Sequence, residues 1–236
     1  MPTPKQLINE RNQCLEHWRA IDLRKLEKNV KKVIECLKSV SEKKITGHYV
    51  RQLHNTLGYK AAGSLRNGGL CKGCLYRSEA FIRLPQERRT GNKNHPPNVT
   101  KVHVEHTIPI AVLSNLIGIF DETKLQPEQV LHFLLENSIT TAMLESEGRT
   151  PQNPDDIFGL VLKGYSRTCG VYIPDHNHSG RPFMRYTAQA KMPRIFNVLT
   201  GEEINARTFT MEDFRKDLHF LLSRSGLFVG KGEMLN

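Results

Sequence analysis

The sequence predicts an α+β chain, mostly helical with a small strand-bearing region. Two patterns lead there. Apolar residues recur at three- and four-residue steps over long stretches, as in Leu23, Leu26, Val30, Val33, Ile34, Leu37 and Val40, which marks an amphipathic helix. Val102 and Val104 instead alternate with polar neighbours, the period of a half-buried strand. With 236 residues and a 38% hydrophobic fraction, the chain can bury a sizeable core in one large domain or two small ones.

Taken in order, residues 4–20 form a first helix with Leu7, Leu15 and Trp18 on its apolar side. The second helix carries the repeat quoted above, and its other face is basic: Arg24, Lys25, Lys28, Lys31, Lys32 and Lys38. Such a face is either simply solvated or a contact for a DNA backbone. A third helix runs through Tyr49, Val50, Leu53 and Leu57 and stops at Gly58, since glycine readily takes the left-handed conformation that ends helices. A short fourth helix is expected through Ala61, Ala62 and Leu65. That helix–turn–helix spacing is common, and packing onto the body of the protein is its simplest use.

Arg66, Lys72, Arg77 and Arg83 surround a cysteine pair, and residues 85–98 are rich in turn formers and charge. The latter reads as a flexible basic loop able to track a phosphate backbone. Residues 111–120 are apolar and helical, and Pro127 with Glu128 opens another helix that runs to Asn137. Ser138 to Thr141 can form a short strand leading into a helix with Glu145 and Glu147. Residues 195–209 look like a short hairpin around Thr200 and Gly201. The last helix has Thr210 as its cap, Phe214, Leu218, Leu221 and Leu222 as its apolar face, and Gly226 as its stop.

Composition narrows the class. Lys and Arg total 34 against 24 Asp and Glu, a net charge of +10 with a pI near 9.5. That balance favours a polyanionic partner, most simply nucleic acid. No apolar run approaches the roughly 18 residues of a membrane span, and the first residues lack the apolar core of a secretory signal, so a cytoplasmic protein is expected. The five cysteines, an odd number, argue against a disulfide framework. Cys71 and Cys74 have the spacing of half a zinc knuckle or of a redox dithiol, with Gly68, Gly69 and Gly73 around them for tight turns. Zinc takes about four ligands, which Cys169 and His176 or His178 would have to complete.

The most informative stretch is Glu105, His106, Thr107, Ile108, Pro109 and Ile110. Proline cannot donate to a sheet ladder, so the strand through Val102 and Val104 should end near His106. This sets an acid and a histidine side by side at a strand end. A neutral imidazole can take a proton from water. A neighbouring carboxylate can hold a hard divalent cation.

At these residues the sequence resembles the HNH, or His-Me finger, nucleases, whose signature is an acid–His pair followed by apolar-x-Pro on the first strand of a ββα-metal motif. Glu stands here where Asp is more usual. The resemblance implies an α+β fold, mostly helical, with a small ββα-metal nuclease core and an N-terminal helical arm. It implies phosphodiester hydrolysis of DNA with Mg²⁺ or a similar cation, possible restriction, phage or mobile-element roles, and His106 as general base with Glu105 as metal ligand. Structural Zn²⁺ on Cys71 and Cys74 would fit the family as well, and many site-specific nucleases form homodimers. A helical insertion of roughly 25 residues separates the two strands of the motif, which leaves the other metal ligands open. Asn177 and His178 are favoured, with Thr141 and Glu145 as the rival set. Arg185 is the expected phosphate contact, because guanidinium binds phosphate bidentately. The resulting division is 1–66 as a helical, DNA-contacting region, 67–190 as the nuclease core and 191–236 as a hairpin and helix packing on it. The competing function is a non-catalytic zinc-knuckle protein that binds nucleic acid.

Overall fold

The computed structural model describes residues 1–38, 46–92, 94–108, 110–117, 126–148, 180–183, 186 and 192–227. Helix α1 (Pro4–Arg19) begins with a reciprocal cap: the Gln6 amide nitrogen donates to Thr3 Oγ1 at 3.3 Å, and Thr3 N donates to Gln6 Oε1 at 2.9 Å. Two of the amide donors that a helix start leaves unpaired are thereby satisfied. Helix α2 (Leu23–Lys38) starts on Asp22, whose carboxylate accepts from Arg24 N and Lys25 N. It buries Leu26, Val30, Val33, Ile34, Cys36 and Leu37, with most of its lysines exposed. The predicted two-faced helix is therefore present.

Helix α3 (Thr46–Thr56) ends at Gly58, whose φ of +76° is left-handed. The short helix expected next is replaced by tight turns and one 3₁₀ turn at Leu65–Asn67. The reason is steric. Gly73 lies so close to the end of α3 that a Cβ there would stand 1.7 Å from the Leu57 carbonyl oxygen. A Cβ at Gly91 would meet the Ala61 carbonyl at 2.1 Å. These turns pack backbone against backbone, which a helix with side chains could not do.

Among the described residues five strands follow: β1 (Tyr76–Ser78), β2 (Arg89–Thr90), β3 (Thr100–His106), β4 (Thr140–Leu144) and β5 (Ile195–Asn197). Helices α4 (Glu79–Arg83), α5 (Ile110–Ile117), α6 (Pro127–Asn137), α7 (Glu145–Gly148) and α8 (Met211–Ser225) are set among and after them. The sheet order is β2-β3-β4-β1-β5. β3 and β4 are antiparallel, β4 and β1 parallel, β1 and β5 antiparallel, and β2 and β3 parallel. The fold class is thus α+β with a small mixed sheet. β5 forms the expected hairpin through the Phe196–Glu203 bridge, and α8 carries the expected Thr210 cap, completed by Asp213.

Successive strand residues point to opposite faces, and the contacts of β1 identify what covers each face. Arg77 reaches Glu10 of α1 on one side. Tyr76, its neighbour, donates to Asp217 of α8 at 2.7 Å on the other. Tyr76 also packs against Phe183, Phe209 and Phe214. One apolar cluster joins these layers, from Cys14 and Trp18 of α1 to Leu221 and Leu222 of α8.

The basic loop before β3 behaves differently from expectation. It supplies β2, and Arg89 is buried. Arg89 and the fully buried Arg77 both bind the carboxylate of Glu10, which is itself 1% exposed. Burial alone would raise the Glu10 carboxyl, but the two guanidiniums hold it below the usual carboxylate range. These two arginines are internal ties and unavailable to a phosphate backbone.

Candidate active site

β3 ends at the acid–histidine pair as the sequence implies. Glu105 stands opposite Thr141 and His106 opposite Thr140 in the antiparallel ladder. Thr107 N continues the pairing by donating to the Ile139 carbonyl at 3.0 Å. Because the pleat stays regular to that point, the two neighbouring side chains leave by opposite faces, and the side-by-side placement expected from the sequence is corrected accordingly.

On the α8 side, the Glu105 carboxylate is 2% exposed and accepts from the Tyr186 hydroxyl at 2.7 Å. The same hydroxyl lies 3.4 Å from Thr141 Oγ1. Tyr186 and Phe183 are both fully buried, as expected of core residues. The part of Tyr186 in holding the carboxylate was not evident from sequence.

On the α1 and α3 side, the half-buried His106 ring stacks on the ring of His54, with centroids 5.0 Å apart and planes 20° from parallel. His54 Nε2 lies 2.7 Å from Ser138 Oγ, and the Tyr59 ring meets His54 edge-on. Burial pushes His54 down to about 3, aided by the positive charge of Arg51. Burial likewise holds His106 well below its usual value, with His54, His103 and Arg51 contributing. Both rings are therefore neutral at physiological pH, the form able to accept a proton, although the same burial weakens His106 as a base. His54 carried a sequence signal: it occupies the buried stripe of α3 with Val50 and Leu53.

The other predicted residues divide. Cys71 and Cys74 are both fully buried. Cys71 Sγ donates to the His103 carbonyl at 3.7 Å, and Cys74 Sγ accepts from Thr140 Oγ1 at 3.5 Å. Burial raises the Cys71 thiol well above its ordinary range. Burial also acts upward on Cys74, but the neighbouring Cys71 thiol, the hydrogen bond from Thr140 and the charge of Arg77 bring it below. Leu70 and Cys71 have positive φ values of 54° and 61°, a conformation costing on the order of 1–2 kcal/mol per residue. Backbone bonds from Leu70 N to Ala61 O and from Cys71 N to Lys60 O hold them there. Thr141 is adjacent to Glu105, whereas Glu145 sits at the far end of β3 in an ion pair with Lys101 at 2.6 Å. These rival ligands are thus not brought together. Cys169, His176, Asn177, His178 and Arg185 lie outside the described residues.

Among the described residues, no group of three or more His, Cys, Asp or Glu side chains is arranged to hold a metal ion. Glu105 can supply one carboxylate, with the Thr141 hydroxyl beside it, but these alone do not make a cation site. Cys71 and Cys74 likewise supply two of the about four ligands zinc takes. No helix among the described residues is long and apolar enough to cross a membrane. No family model, curated protein or solved structure matches the chain.

Proposed function

We propose that this chain is a metal-dependent DNA endonuclease of the HNH type, hydrolysing phosphodiester bonds at the end of β3. The observation that carries the reading is the order strand, strand, helix that begins with the strand ending in His106, although the helix starts at the opposite end of that strand pair. β3 and β4 pair antiparallel, α7 follows β4 directly, and the acid–histidine pair terminates the first strand. The insertion anticipated from sequence is α5 and α6, so the two strands pair despite the residues between them. The net charge of +10 suits a DNA partner.

In this mechanism His106, neutral and fixed by its stack on His54, takes a proton from a water molecule. The resulting hydroxide attacks phosphorus, and the P–O bond to the leaving sugar oxygen breaks. A divalent cation, when bound, supplies positive charge against the negative charge growing on the phosphate. Glu105, which leaves β3 by the face opposite His106 and is oriented by the Tyr186 hydroxyl, would be its carboxylate ligand. Asn177 or His178 would complete the ligand set, and Arg185, next to Tyr186 in sequence, would steady the phosphate.

A second reading has a specific observation behind it. Glu105 is closely enclosed and hydrogen-bonded, as a purely structural carboxylate would be, and a non-catalytic nucleic-acid-binding protein would then remain. Nicking of supercoiled plasmid with Mg²⁺, with and without EDTA, separates the two. Conversion to open circles that EDTA abolishes supports the endonuclease. Retention of plasmid in a gel with no nicking under any divalent cation supports the binding protein.

A further inference from the structure

Away from the β3 terminus, α1, the start of α2, the end of α3 and the glycine-rich turns enclose an open polar cleft of about 820 Å³. It shares no residue with the stacked pair of His54 and His106. Its size falls within the range of about 300–1,000 Å³ typical of small-molecule sites. Its lining is unusual in composition, since side-chain amides and cations dominate it.

The charges do not cancel internally. Both acidic residues of the lining are already engaged. Asp22 caps α2 through two backbone amides, and Glu16 pairs with Lys72 at 3.1 Å. Lys25, Lys60 and Arg66 also line the cleft, and among the described residues none of them has a carboxylate partner. Lys60 is held below its ordinary value by burial and then by the neighbouring charge of Lys25. Lys25 and Lys60 thus line one cleft with no carboxylate partner among the described residues, and an anion bound there would lessen their mutual repulsion. His17, pushed down to about 4 chiefly by burial, adds a neutral ring and no charge.

The amides supply the second half of the argument. Gln52 and Asn55 project from one side of α3 into the cleft, and their amide groups bond no described residue. A carboxamide presents a donor and an acceptor together, the pattern that matches the edge of a nucleobase. Among the described residues the wall offers only Ala20, Ile21 and Leu65 as apolar side chains, which argues against a lipid or an apolar peptide.

We infer that this cleft is a nucleotide-binding site, taking phosphate on Lys25, Lys60 and Arg66 and a base on Gln52 and Asn55. The same chemistry is offered by a free nucleotide and by a nucleotide within a single strand, so the test has an arm for each. Fluorescence anisotropy of the full chain with a labelled single-stranded oligonucleotide measures the strand. Equilibrium dialysis with nucleoside 5′-monophosphates measures the free ligand. Binding in either arm should fall by about tenfold in the double variant Lys25→Gln, Lys60→Gln, as expected when charge-assisted contacts are lost. The control, Lys28→Gln with Lys31→Gln, removes the same charge from the exposed face of α2 and should change binding less than about twofold. The Gln52→Ala, Asn55→Ala pair should weaken binding and alter its preference among bases. Absence of binding in both arms, or an equal loss in the control, overturns the assignment. The site is independent of the nuclease reading: His106→Ala should leave this binding unchanged, and a chain that cleaves no DNA can still bind here.

Discussion

Replacing Glu10 by Gln removes one negative charge from between two buried guanidiniums. Arg89 Nη2 lies 2.6 Å from Glu10 Oε1, Arg89 Nη1 lies 3.2 Å from Oε2, and Arg77 binds the same Oε2. All three side chains are at most 2% exposed. Breaking a buried ion pair from one side costs about 3–5 kcal/mol, because the remaining charge is left uncompensated. Here two charges are left, but each keeps other partners. Arg77 retains the Cys74 and Lys72 carbonyls, and Arg89 retains the Leu84 carbonyl and the Phe81 ring at 4.1 Å. The glutamine also keeps one acceptor oxygen. These contacts offset each other, so the loss should stay near 3–5 kcal/mol. In urea unfolding this lowers the midpoint by about 1 M or more at a slope near 3 kcal/mol/M. A triple change of Glu10 to Leu and both arginines to Met should cost less than the single change, since no charge is then stranded. A Glu10→Gln loss below about 1 kcal/mol would refute the reasoning and class the triad with exposed ion pairs.

Acid should destabilise the fold before the carboxylates titrate. His54 ordinarily titrates at 6.5 but at about 3 in the fold, so the unfolded chain takes up a proton there that the folded chain refuses. Stability should therefore fall as pH drops from 6.5 towards 3, by up to about 1.4 kcal/mol per pH unit from this one group. Urea midpoints at several pH values would show the slope; a flat profile would place His54 in water. Gly73→Ala, which sets a methyl group against the Leu57 carbonyl, should cost about 3 kcal/mol or more and is checked by thermal unfolding. Wild-type stability in that variant would mean that the turn does not lie on α3.

Much of the fold was legible where periodicity is long. α2, α6 and α8 repeat their apolar residues over two turns or more, and their caps are local in sequence. β1 and β2 were not legible, because two or three residues cannot establish a period, and β1 exists through partners far along the chain. Arg77 and Arg89 looked like surface cations for the same reason: their partner, Glu10, is 67 and 79 residues away. Glu10 nonetheless left a trace, since it shares the buried side of α1 with Cys14 and Trp18. At the candidate site, the strand end at His106 could be anticipated from Pro109 and the alternation before it, whereas the register that sets Glu105 opposite Thr141 could not. The stack of His54 on His106 and the hold of Tyr186 on Glu105 needed the tertiary structure, because each joins segments that no local pattern links.

His106 is the proposed proton acceptor, and the nuclease proposal stands on that role. Single-turnover cleavage of duplex DNA by His106→Ala, measured beside its DNA affinity, tests that role. The rate should be about 10²–10⁴-fold lower, the usual contribution of a general base, with affinity within about twofold of wild type. Cleavage at the wild-type rate, with folding and binding intact, would contradict it.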